Sequence, residues 1–181
     1  MNETMWQHLD RYARSLVPFS VTVMLMLLTM VPVPIPGYSL IVPMLTLISV
    51  YYWAIHRPGL LPPAAVFLIG LIQDLLSGAP LGIYPVVLLL VYGVAYSQRR
   101  FFFTKSFLIV WWGFLLISFV AVLVNWALHS LLLGALISSP AAVFQFLVTV
   151  AFYPPLSWVL RRLQQVVPRP SEIFVADVPG P

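Results

Sequence analysis

Apolar residues fill this chain in long unbroken runs rather than in alternation. Six runs stand out: Ser15–Val31, Tyr38–Ile55, Leu60–Leu76, Leu81–Tyr96, Ser106–Leu133 and Ala141–Leu160. Strands of a membrane barrel alternate apolar and polar positions, and these runs do not. A helix crossing the hydrocarbon core needs about 20 apolar residues, with a range of about 17–25. The second, fifth and sixth runs meet that length. The first and third are short. The fourth is shortest, but no charge falls between Leu75 and Gln98, so it can extend at little cost. The pattern predicts six membrane-crossing helices. The competing arrangement merges runs three and four into one span. Ser77-Gly78-Ala79-Pro80-Leu81-Gly82 argues against it, because this stretch is dense in turn formers.

Prolines punctuate the runs. Pro32, Pro34 and Pro36 predict a stiff, extended first connection. Pro43 predicts a break near the start of the second helix. Pro62 and Pro63 open the third, where a missing N–H matters least. Pro85 falls in the first turn of the fourth, and Pro154 and Pro155 predict a kink in the sixth. The first run ends in Val31-Pro32 with no small-x-small cleavage site, so it reads as a retained helix rather than a signal peptide.

Outside the runs, residues 1–14 carry Met5, Leu9 and Tyr12 on one helical stripe that continues to Leu16. With Trp6, Arg11 and Arg14 this fits a cytoplasmic helix lying in the membrane interface; a frayed tail is the other reading. Residues 15–167 form the six-helix domain. Residues 168–181, flanked by Pro and Gly, read as a disordered cytoplasmic tail. Ile173-Phe174-Val175 within it is the one stretch suited to adding a strand to a partner.

Composition agrees with lipid as the solvent. Of 181 residues, 61% are hydrophobic and 8% charged, against about 25% charged in a soluble domain. The net charge of +4 does not imply nucleic acid, because the basic residues are scattered between apolar runs rather than gathered on one face. Their scatter has an order. Arg11 and Arg14 precede the first run, Arg57 follows the second, Arg99, Arg100 and Lys105 follow the fourth, and Arg161, Arg162 and Arg169 follow the sixth. Six spans put all nine on one side, and the positive-inside rule makes that side the cytoplasm. Both termini are then cytoplasmic.

Little chemistry is on offer. The absence of cysteine removes disulfides, thiolate metal sites and Cys nucleophiles. There is no nucleophile elbow, no H-E-x-x-H and no phosphate-binding glycine loop. No catalytic activity, metal or cofactor is expected. Asp74 is the only acidic residue within the apolar runs, and an ionisable residue there is a functional hypothesis by default. Two readings stay open. Asp74, with Asn125, His129 and Gln145, forms a polar cluster in the outer halves of the helices, Asp74 pairing with His129 and a partner or ligand reading the group. Or Asp74 reaches the free amides at the start of the fourth helix, around Leu81 to Ile83, and only pins the hairpin. Asn125 and Gln145 suit interhelical hydrogen bonding equally well. His56 beside Arg57 reads as a solvated loop residue. Trp111 and Trp112 read as an interfacial anchor or as packing against another protein.

The central stretch resembles the rod shape-determining protein MreD family. Its carriers are Arg57-Pro58, Leu61-Pro62-Pro63, the run Gly70-Leu71-Ile72-Gln73-Asp74-Leu75-Leu76-Ser77-Gly78-Ala79-Pro80-Leu81-Gly82, and Leu88-Leu89-Leu90-Val91-Tyr92. The resemblance implies a non-catalytic component of the bacterial inner membrane that maintains rod shape during lateral peptidoglycan synthesis. It implies MreC as the direct partner, with MreB, RodA and a class B penicillin-binding protein in the wider assembly. It also implies a fold similar to the substrate-binding components of vitamin importers, which keeps a small-molecule transporter component as the alternative function. On this reading Gln73, Asp74, Ser77, Gly78, Pro80, Leu81 and Gly82 form a turn that a periplasmic partner binds.

Overall fold

The computed structural model describes residues 17–30, 43–103, 107–133 and 139–166. Among the described residues are six helices: α1 Val17–Thr29, α2 Leu45–His56, α3 Pro63–Ser77, α4 Ile83–Phe103, α5 Phe107–Leu133 and α6 Ser139–Val166. The expected interfacial helix before residue 15, the Pro32–Pro36 connection and the tail after residue 167 lie outside the described residues.

Local chemistry sets the boundaries. Among the described residues, the helical part of the second run starts at Leu45, two residues after Pro43. It ends where Arg57 leaves helical geometry at φ −149°, as a residue before proline tends to do. Pro62, extended at φ −67° and ψ 156°, caps α3, and Pro63 takes its first position. Runs three and four are separate helices, divided by the predicted turn. The fourth run is longer than its apolar core, because α4 carries on through Gln98, Arg99 and Arg100. α6 passes Pro154 and Pro155 as a single helix.

α2 sits at the centre. Every residue from Leu45 to Ile55 is buried, as expected of a helix that is apolar all round. α4 and α6 pack directly on α2, α5 bridges α4 and α6, and α3 packs on α4. Tyr51, Phe114 and Tyr153 form the aromatic heart, with the Phe114 and Tyr153 rings stacked at 4.3 Å. Buried hydroxyls tie α2 to its neighbours. Thr22 Oγ1 and Ser49 Oγ are 2.8 Å apart, joining α1 to α2. The Met44 amide donates to Thr149 Oγ1 on α6 at 3.1 Å, and the Tyr51 hydroxyl donates to the Val110 carbonyl on α5 at 2.9 Å. Such bonds hold helices together where lipid gives apolar packing no advantage over lipid contact.

The outward faces are apolar. On α5, Leu108, Trp112, Leu116, Phe119 and Leu123 are exposed at helical spacing and form one stripe. Trp112 faces outward while Trp111 packs against the core. This is the surface of a protein whose surroundings are hydrocarbon.

Two helices are long and apolar enough to cross a bilayer, within Phe107–Leu132 and Ala142–Gln164. At 1.5 Å per residue the first of these spans about 39 Å, whereas the 12 residues of α2 span about 18 Å. The described part of α1, and α3, are also shorter than a full span. Six complete crossings are therefore an expectation beyond what the helix lengths alone supply. In α3 the physical reason is proline at the start, with Pro62 as cap and Pro63 as first residue.

The bundle has two distinguishable ends. Met44 and Thr46 at the start of α2, Gln73 at the end of α3 and Tyr84 at the start of α4 surround one small cavity. The end of α2, the start of α5 and the end of α6 meet at the opposite end, where Arg57 and Arg161 both act on Tyr52 electrostatically.

Candidate functional site

The α3–α4 hairpin carries most of the residues singled out from the sequence. Gly70 lets the two helices meet: a Cβ there would lie 2.7 Å from both the N and the Cα of Pro85. Gly78 ends α3 in the left-handed conformation, at φ 66° and ψ 17°. Gly82, at φ 105°, turns the chain into α4 in a region open in practice only to glycine. The Gly82 carbonyl accepts the first bond of α4, from the Val86 amide at 3.2 Å.

Gly82 therefore occupies the N-cap position but has no side chain to cap with. Asp74 supplies one from the neighbouring helix. Its Oδ2 accepts the Gly82 amide at 2.6 Å, and its Oδ1 accepts the Tyr84 amide at 3.1 Å. A carboxylate at a helix N-terminus satisfies orphan amides and meets the positive end of the dipole. Asp74 is fully buried. The amides lie at Gly82 and Tyr84, within a residue of the Leu81–Ile83 stretch expected to hold them. Ser77 Oγ donates to the Asp74 carbonyl at 3.2 Å and tightens the last turn of α3.

Asp74 does not pair with His129. The His129 ring instead lies with Nδ1 2.9 Å from the Asn125 carbonyl, along its own helix. Asn125 and His129 share a face of α5, as their spacing predicts, and the Asn125 Oδ1 is buried without a hydrogen-bond partner. Gln145 is half-buried on α6, where its carbonyl accepts Thr149 Oγ1 at 2.7 Å. Gln73 is buried with its Oε1 unbonded, facing the cavity of about 10 Å³ between α2, α3 and α4. Thr46 Oγ1, also buried and unbonded, lines the same cavity.

What the turn displays is apolar. Leu75, Leu76 and Leu81 are exposed, with Ser77 and Gly78 beside them. Asp74 and Gln73 face inward. Any surface here owes its shape to Asp74 but does not present the carboxylate.

A second feature was not anticipated. A cleft of about 520 Å³ opens between the ends of α2, α5 and α6. Tyr153, Ser157, Arg161 and Gln164 line it from α6, at steps of four, four and three, which place them on one helical face. Tyr52 and His56 line it from α2, and the Tyr52 hydroxyl donates to Gln164 Oε1 at 2.8 Å. His56 is thus not a solvated loop residue. It is half-buried as the last residue of α2, stacked on Tyr52 at 4.2 Å, with Nδ1 3.0 Å from the Tyr52 carbonyl. Burial lowers its pKa from the ordinary value; the bond to Tyr52 opposes the shift and Arg161 adds to it. The α6 spacing was visible in the sequence, but a basic residue at a helix end carries a topology signal that masks any other role.

The family described as rod shape-determining protein MreD matches residues 10–163. No curated protein and no solved structure matches the chain. A likeness to vitamin-importer components accordingly has no solved structure behind it. Among the described residues, no group of His, Asp and Glu is placed to hold a metal ion.

Proposed function

This chain belongs to the rod shape-determining MreD family, a structural component of cell-shape control rather than a known enzyme family, and we propose that it is a membrane scaffold of the bacterial elongation machinery. It crosses the inner membrane six times with both termini in the cytoplasm. Its direct partner is MreC, and through MreC it reaches MreB, RodA and a class B penicillin-binding protein. The observation that carries this reading is the α3–α4 hairpin, which holds the densest run of family-like residues. That hairpin is built as a rigid turn with exposed Leu75, Leu76 and Leu81. It lies at the opposite end of the bundle from Arg57 and Arg161. With the arginines in the cytoplasm, the turn faces the periplasm, where the bulk of MreC resides.

The alternative, a small-molecule component of a transporter, calls for Asp74, Asn125, His129 and Gln145 to converge on an enclosed cavity. Asp74 spends both oxygens inside the hairpin, which weakens that reading.

The test is affinity purification of the tagged protein from its host in mild detergent. The expected result is co-elution of MreC and other elongation proteins. That co-elution is lost on replacing Leu75 and Leu81 with Ser, at unchanged protein level. Co-elution of an ATPase pair and a coupling membrane subunit, without cell-wall proteins, overturns the proposal.

A further inference from the structure

We propose that the cleft between α2, α5 and α6 binds an anionic phospholipid, its phosphate held by Arg161 and its hydrocarbon lying against Phe107 and Trp158. Placing that lipid in the cytoplasmic leaflet rests on the topology proposed above; the site itself does not.

Four observations converge. The volume, about 520 Å³, falls in the range of ligand sites rather than packing defects. The cleft is graded in polarity along α6. Arg161 and Gln164 stand at its rim, and the fully buried Tyr153 lies eight residues deeper, about 12 Å along the helix.

Charge is unbalanced at this end. Asp74 is the only carboxylate side chain among the described residues, and it is sealed in the hairpin at the other end. Arg162 lies over the Trp158 ring at 5.2 Å and Arg99 over the Tyr96 ring at 4.3 Å. Arg161 has neither a ring nor a carboxylate partner among the described residues, and it is the arginine that lines the cleft. Gln164 Oε1 is already engaged by Tyr52, so its amide N–H groups are left to face an acceptor. A guanidinium with an amide donor one turn away suits a phosphate ester.

The walls favour an amphiphile over a soluble anion. Phe107 on α5 and Trp158 on α6 line the cleft and are themselves exposed. Aromatic side chains at a helix end beside arginines mark the headgroup level of a bilayer. A freely dissolved phosphate gains nothing from them.

The test is native mass spectrometry of the purified chain in mild detergent, titrated with dioleoylphosphatidylglycerol or dioleoylphosphatidylcholine. Arg161→Gln is expected to weaken phosphatidylglycerol retention about tenfold, the scale of one charge-assisted bond. Arg162→Gln, its neighbour outside the cleft, is expected to change retention less than about twofold, as for a screened surface charge. Arg161→Lys keeps the charge and most of the binding. Should Arg161→Gln fail to melt cooperatively, Gln164→Leu removes the amide donor at the same rim and is expected to weaken retention several-fold. Equal retention by wild type and the rim variants overturns the site. Displacement of the lipid by an equal concentration of glycerol 3-phosphate overturns the lipid in favour of a soluble phosphate ligand. This readout is blind to sidedness. Labelling of single cysteines added at each end of this cysteine-free chain tests the topology separately.

Discussion

Replacing Asp74 with Asn isolates the charge of the hairpin cap while keeping its shape. In the wild type both carboxylate oxygens accept: Oδ2 from Gly82 at 2.6 Å and Oδ1 from Tyr84 at 3.1 Å. Asparagine keeps one acceptor and turns the other into a donor. That donor would face a backbone amide with no lone pair to offer. The variant loses one charge-assisted bond, worth about 1.5–3 kcal/mol, and leaves a buried amide unpaired at about 1–3 kcal/mol. The two costs overlap, so the expected loss is about 2–4 kcal/mol. Ejecting a carboxylate from the C-terminal turn of α3 returns a few tenths of a kcal/mol from the dipole of that helix, too little to change the sign. The assay is unfolding in mild detergent followed by tryptophan fluorescence, with Asp74→Glu and Asp74→Ala for comparison. Ala, which strips both amides, is expected to be the worst of the three. An Asn variant as stable as wild type refutes the cap. If that same variant no longer retains MreC, the charge is being read by the partner, and the buried geometry is not the one that functions.

Other expectations follow from the same geometry. Gly70→Ala puts a methyl 2.7 Å from the Pro85 backbone. It should cost about 1–3 kcal/mol or more in the same unfolding assay, because backbone cannot step aside as a side chain can. Gln73→Leu removes a buried oxygen that has no partner; stability should stay level or rise, since the desolvation cost disappears with the group. A Gln73→Leu chain that folds well yet fails to retain MreC would move Gln73 from structure to function. His56 has a folded pKa below its unfolded value of about 6.5, so the folded state refuses a proton that the unfolded chain takes up. Its contribution is complete above that value and is lost as pH falls through the folded pKa. Between pH 7.5 and pH 5 the unfolding midpoint should therefore fall less in His56→Gln than in wild type, and identical pH dependence would exclude the group.

Much of the hairpin could be inferred in advance because its determinants are local. Gly78 and Gly82 need only their own φ angles, 66° and 105°, to fix a turn, and Pro62 and Pro63 need only their own rings to open a helix. A lone acid in an apolar run must find amides or a partner, and the nearest free amides were eight and ten residues along the chain. What sequence pattern left open were quantities set by packing. Within the second run, the helix Leu45–His56 is buried on every side from Leu45 to Ile55. Hydropathy records that a segment avoids water, and it does not distinguish lipid from protein as the refuge. Asp74 and His129 are each engaged by backbone nearby in sequence instead of by one another: Asp74 by the Gly82 and Tyr84 amides, His129 by the Asn125 carbonyl.

Apolar runs, proline and charge order by themselves thus pointed to a helical membrane protein with an α3–α4 turn, and left open whether Asp74 caps it. Only the tertiary structure decided which helix is central, that Asp74 points inward while three leucines point out, and that a cleft lies at the arginine end. The division is physical. Backbone geometry and solvent preference belong to single residues and short stretches. A cavity belongs to none of them, because it exists only where α2, α5 and α6, distant along the chain, fail to close on one another.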